Sequence, residues 1–192
     1  MDNRSLIAVI VVIAAIVIVA AVVISRRRNS AHLKQHFGPE YERAVKQHGD
    51  PGKAEAILLD REKRVSKFSL RELNPTDRDR YADEWAGVQR RFVDDPSAAV
   101  TQADKLVTNV MAARGYPMGD FDQRAADISV NYPTVVQNYR SAREIAVNHE
   151  RGQSSTEDLR RAMVYFRSLF EELLGTPKTA SSAGATHERL AS

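Results

Sequence analysis

LIAVIVVIAAIVIVAAVVI, Leu6 to Ile24, contains no charge, hydroxyl, glycine or proline, and Arg26, Arg27 and Arg28 follow it at once. At about 1.5 Å per helical residue the run reaches roughly 28 Å, close to the hydrocarbon thickness of a bilayer. Nothing in it is polar enough to give a helix a wet face, so it reads as a transmembrane helix and not as part of a water-facing core. Most of its residues are Val or Ile, which lowers intrinsic helix propensity. In lipid that matters little, because an open strand would leave backbone groups unpaired.

A cleavable signal peptide is the rival. It needs a basic start, an apolar core of about 7–15 residues and a small-x-small cleavage site. Here the start, MDNRS, offsets Arg4 with Asp2, the core is too long, and the flank from Val22 to Arg28 is a poor cleavage site. The run is therefore read as an uncleaved signal-anchor. It has no Gly-x-x-x-Gly pattern, and Ala21 with Ser25 offers only a weak small-residue pair for dimerisation. Arg4 lies before the span, while Arg26, Arg27, Arg28 and Lys34 lie after it. Positive charge stays on the cytoplasmic side, so the N-terminus is expected outside and the C-terminal part in the cytoplasm. An extracytoplasmic placement is the alternative. The same basic residues attract anionic head groups at about 1 kcal/mol each, so membrane lipid is an expected partner.

The formal charge of +3 is uneven. From Phe37 onward 23 basic residues face 24 acids, a balance of −1. A near-neutral domain lacks the basic face of a nucleic-acid binder. There is no Cys, which excludes disulfides, thiolate metal sites and Cys nucleophiles.

The rest is punctuated as helices. Asp50-Pro51, Asn74-Pro75 and Asp95-Pro96 each place an N-cap acceptor before a proline at the first helical position. Ser155-Thr156-Glu157-Asp158 is a fourth start, with acids in the first turn. Apolar residues then recur with a period near 3.6: Tyr81, Trp85, Val88 and Phe92; Leu106, Val107, Val110 and Met111; Val135, Val136, Tyr139, Ala142, Ile145 and Ala146; Leu159, Met163, Phe166, Phe170 and Leu173. Helices are expected at roughly 40–48, 51–70, 75–93, 96–114, 120–130, 133–151 and 156–174, with no strand. Within 51–70 the expected packed face is Ala56, Leu59, Val65 and Phe68, in a charged segment able to act as a stalk. The expected fold is all-α: a tail (1–5), a transmembrane helix (6–24), a basic juxtamembrane connector (25–36), one bundle of about five to seven helices (37–174) and a disordered tail (175–192).

Reactive constellations are scarce. His32 and His36 share a face if helical, a spacing metal sites use. With Lys34 beside them and no Glu in the zinc-protease position, they read as solvated histidines at a membrane surface. His48, His149 and His187 have no evident partner, and Asp94-Asp95 reads as a helix end and a cap. No Gly-rich phosphate loop or Gly-x-Ser-x-Gly elbow exists. No catalytic residue, cofactor or metal is expected. Arg124, Asp127, Arg140 and Arg143 lie in or beside apolar stripes, and interhelical ion pairing is favoured over a binding rim. Were the chain an enzyme, Arg124, Asp127, Tyr139 and Arg140 would be the expected members of its site. The turn Arg114-Gly115-Tyr116-Pro117-Met118 carries residue types enriched at interfaces, so Arg114, Tyr116 and Met118, with Arg140, are candidate contacts for a protein partner. Tyr116 packing back onto the bundle is the alternative.

Phe37-Gly-Pro-Glu-Tyr41, Arg91-Phe-Val-Asp-Asp-Pro96, Ala103-Asp-Lys-Leu-Val107 with Arg114-Gly-Tyr-Pro117, Arg124-Ala-Ala-Asp-Ile-Ser-Val130 and Ser155-Thr-Glu-Asp-Leu-Arg160 together resemble an uncharacterised family of bacterial single-pass membrane or secreted helical proteins. The resemblance spans 37–174. It implies a bacterial origin and a helical domain behind a hydrophobic N-terminal segment, and it brings no catalytic residue. The resulting expectation is a membrane-anchored scaffold or adaptor module without catalytic activity. An exported, envelope-facing helical protein and a membrane-tethered enzyme are the alternatives.

Overall fold

The computed structural model describes residues 3–175, without the side chains of 3–12, 15, 22 and 26. The chain is helical throughout its ordered elements: α1 (Asn3–Phe37), α2 (Pro39–His48), α3 (Pro51–Val65), α4 (Pro75–Asp94), α5 (Pro96–Ala113), α6 (Phe121–Asn131), α7 (Val136–Glu150) and α8 (Thr156–Leu174). Among the described residues there is no strand. Among the described residues, seven helices follow α1. The expected tail beyond Gly175, and part of the apolar run from Leu6 to Ile24, lie outside the described residues and side chains. Among the described residues, no helix is long and apolar enough to cross a membrane.

Caps decide where the helices begin. The side chains of Asp50, Asn74 and Asp95 accept from the backbone N–H of Lys53, Asp77 and Ala98 at 2.8, 2.7 and 3.0 Å. Each is followed by its proline, as the dipeptides require. Asp120 caps α6 in the same way, through the N–H of Gln123 at 2.8 Å. Its sequence lacks the proline that marks the other three. Ser155 and Asp158 form a reciprocal capping box at α8. Replacing Ser155 with Ala is expected to cost about 1 kcal/mol, read as a lower unfolding midpoint. The hydrogen bond from the Ser155 backbone, then those from the Ser155 hydroxyl and Arg161, hold the Asp158 carboxyl down at about 2. A depressed carboxylate stabilises the fold above its unfolded value and loses that contribution as pH falls through the folded one. The acid side of the stability curve should therefore decline between about pH 3.8 and 2, and Asp158→Asn should flatten that decline.

Two boundaries differ from the sequence reading. The helix expected over 51–70 ends at Val65. The Ser66 hydroxyl donates to the Lys63 carbonyl, and the N–H groups of Lys67 and Phe68 turn back to the carbonyls of Arg64 and Val65. This tighter turn places Phe68 edge-on to Tyr116, with ring centroids 6.5 Å apart. The helix expected from Pro133 starts at Val136, because a turn closes first through the Tyr132 carbonyl.

Among the described residues the chain divides into two compact units: 3–69 with 116–140, and 70–115 with 141–175. In the first, α2 packs on α3, α3 on α6, and the C-terminal end of α1 on all three. Its core includes Leu33, Phe37, Tyr41, Ala44, Ala54, Leu58, Val65 and Val130. In the second, α5 packs on both α4 and α8. Tyr81, Trp85, Val88, Leu106, Val107, Val110, Met111, Leu159, Met163, Phe166, Phe170 and Leu173 are buried, as the four-three spacing requires. Trp85 stacks on Phe170 at 4.7 Å between centroids.

The packed face of α3 is not the expected one. Ala54, Leu58, Arg61 and Val65 are buried, while Ala56 is exposed and Leu59 and Phe68 are only partly covered. The stripe keeps four-three-four spacing but has an arginine in it. α3 is therefore a core helix, and the long helical extension belongs to α1.

Candidate functional site

α1 has no break between the apolar run and the first unit. The connector expected at 25–36 is helix. Ile16, Val17, Ile18 and Val19 are four consecutive residues, each about 60% exposed (62%, 60%, 63% and 63%). Consecutive positions cover every side of a helix, so this stretch is apolar all round with no protein against it. About four turns later the same helix is fully docked: Leu33 and Phe37 have no exposed surface. Burying each contributes about 1.5–3 kcal/mol. Between them, Arg27, Arg28 and Lys34 are exposed, and the Lys34 ammonium lies 5.4 Å from the centre of the Tyr41 ring. The Ser30 hydroxyl and the Tyr41 phenol both donate to Glu55 Oε1, at 2.6 and 2.9 Å. Burial, then that bond to Glu55, push the Tyr41 phenol up to about 12. At neutral pH it remains a donor, which keeps α1, α2 and α3 joined at this point.

Glu40 is the electrostatic centre of the first unit. It sits in the first turn of α2, where an acid suits the helix dipole, but its side chain is only 1% exposed. Arg61 Nη1 donates to its Oε1 at 2.8 Å, and Arg140 donates to both oxygens, Nη1 to Oε2 at 2.6 Å and Nη2 to Oε1 at 2.9 Å. The Arg140 contact is the bidentate fork that arginine makes best with a carboxylate. Arg43 Nη1 stands 3.8 Å from Oε1; burial, then the charge of Arg140, draw the Arg43 guanidinium below its usual range. Arg61 also donates to Ser129 Oγ at 3.3 Å, bringing α6 into the network. A second pair joins α3 to α6, where Arg64 donates to Asp127 Oδ1 from Nη2 at 2.7 Å and Nε at 2.9 Å. In the other unit Arg143 reaches Asp104 Oδ2 at 3.1 Å. Arg140, Asp127 and Arg143 thus pair between helices, whereas Arg124 donates locally to the Gly119 carbonyl at 2.7 Å.

The candidate partner-contact residues fall in different surroundings. Arg114 donates to the Leu173 carbonyl at 2.6 Å, at the end of α8, and its own carbonyl accepts from the Arg71 N–H. Tyr116 is buried, and its phenol oxygen accepts from Asn131 at 2.7 Å. The ring therefore packs back onto the first unit. Arg140 lies over Glu40. Met118 stays on the surface, 47% exposed. The four residues proposed for the enzyme alternative engage four different partners: Arg124 the Gly119 carbonyl, Asp127 Arg64, Arg140 Glu40, and Tyr139 the Phe121 ring at 4.9 Å.

The histidines on α1 gain a neighbour the sequence did not offer. His32 and His36 stack with centroids 5.8 Å apart and planes 13° from parallel. Glu62 of α3 places Oε1 3.7 Å from Nε2 of each. Among the described residues, no three His, Asp or Glu side chains form a ready-made metal cluster. No known family model, curated protein or solved structure matches the chain.

Proposed function

We propose that this chain is a single-pass, membrane-anchored helical module that recruits or scaffolds a protein partner at the inner face of a bacterial membrane. The observation that carries the reading is the continuity of α1. One helix begins in an apolar run with no wet face and ends with Leu33 and Phe37 in the first unit's core. An all-round apolar helix left exposed is an aggregation hazard in water and is stable in lipid. Arg26, Arg27 and Arg28 at the end of the run fit the cytoplasmic flank. The first unit is built around buried ion pairs, and two of the candidate catalytic residues, Asp127 and Arg140, are themselves held in them, which supports a binding role over a reactive one. Confinement to a membrane raises the effective concentration of the module toward other membrane-bound proteins.

A reporter fused after Ser192 tests the topology. Activity of a cytoplasm-dependent reporter is the expected result, and activity only of an export-dependent reporter would establish the envelope-facing alternative. Photo-crosslinking in cells from position 118, where the side chain is exposed, should capture one specific protein. Recovery of lipid and background alone would remove the scaffold reading while leaving the anchor intact.

A further inference from the structure

We propose that His32, His36 and Glu62 form a binding site for a first-row divalent transition-metal ion, of the zinc, nickel or copper class, which fastens α1 to α3. The inference does not depend on membrane anchoring. Two imidazoles one turn apart on α1 face one carboxylate on α3, and both Nε2 atoms lie 3.7 Å from the same oxygen. Ligands about 2.0–2.1 Å from a tetrahedral ion are about 3.3 Å from one another, so each histidine-to-carboxylate separation is within roughly 0.4 Å of a closed sphere. The remaining adjustment is convergence of the two rings, which now stack 5.8 Å apart. Both are free to make it, because His32 and His36 are 63% and 39% exposed. Glu62 is the fixed member, at 25%.

Two imidazole nitrogens and one carboxylate oxygen match the borderline ions and not magnesium or calcium, which take oxygen shells. Three protein ligands leave a position open to water, since the site faces solvent. The helices are already side by side here: Ser30 of α1 bonds to Glu55 of α3 two turns before His36 meets Glu62. A bound ion would add a link at the far end of that contact, next to buried Phe37.

The full chain in detergent micelles, titrated with Zn2+ against a chromophoric chelator, should bind one ion per chain. His32→Ala and His36→Ala should each weaken binding by about tenfold or more, since each removes a ligand, and Glu62→Gln should also weaken it. His48→Ala should leave it unchanged. Co2+ should give a ligand-field spectrum that vanishes in the His32→Ala/His36→Ala variant. Zn2+ should also raise the unfolding temperature of the wild type and not of that variant. All three positions are partly or largely exposed, so circular dichroism can verify that the variants fold. Zn2+ affinity indifferent to all three substitutions, or no binding at millimolar Zn2+, would overturn the proposal.

Discussion

Glu40→Gln should destabilise the first unit by about 3–5 kcal/mol, the cost of leaving buried charge without its partner. The substitution keeps the volume and removes the negative charge. Arg61 and Arg140, with side chains 10% and 13% exposed, would then face each other with no carboxylate between them. Arg43 adds a third cation nearby. A domain's whole margin is about 5–15 kcal/mol, so the loss is a large fraction of it. Hydrogen exchange should show it first in α2, α3 and the start of α7, which meet at this carboxylate. Adding Arg140→Gln to Glu40→Gln should recover part of the loss, because the pair is then removed whole; the cycle measures the coupling directly. Additive losses in the double variant would mean that the fork contributes no specific coupling.

Ile16→Arg with Val19→Arg should release the chain from the membrane fraction. The fourteen Leu, Ile and Val residues of the run favour insertion by about 0.3–0.6 kcal/mol each at the centre, or roughly 4–8 kcal/mol together, while each central Arg opposes it by about 2.5–3.5 kcal/mol. Two arginines therefore bring the balance close to zero. The wild type should resist extraction by high salt and alkali and yield only to detergent. The double arginine variant should appear in the soluble or aggregated fraction, and Ile16→Leu with Val19→Leu should behave as wild type. A wild-type chain washed off by salt alone would end the anchoring proposal.

The helical skeleton was legible because its signals are local. Asp50, Asn74, Asp95 and Ser155 announce helix starts through chemistry completed within three residues. The stripes through Trp85 and Phe166 need only a period. The electrostatic centre was not legible, because its parts lie far apart: Glu40 meets Arg140 across one hundred residues. Hydropathy scores Arg61 as surface, yet it occupies the buried stripe between Leu58 and Val65, and that one residue shifted the expected face of α3. Arg140 lies in an apolar stripe of the sequence, and buried Glu40 supplies the physical reason. The pair His32 and His36 was visible by spacing, but Glu62 enters from another helix and no local pattern announces it. The division into two units follows from long-range contacts that composition does not encode.

Because α1 runs unjointed from its apolar stretch to Phe37, the first unit has no swivel at its root. Its azimuth is geared to the shaft: twist imposed on the apolar stretch appears at the unit as an equal angular turn. Inserting one alanine between Ile24 and Ser30 would index the unit by about 100° and lift it by about 1.5 Å, presenting a different flank to whatever stands beside it.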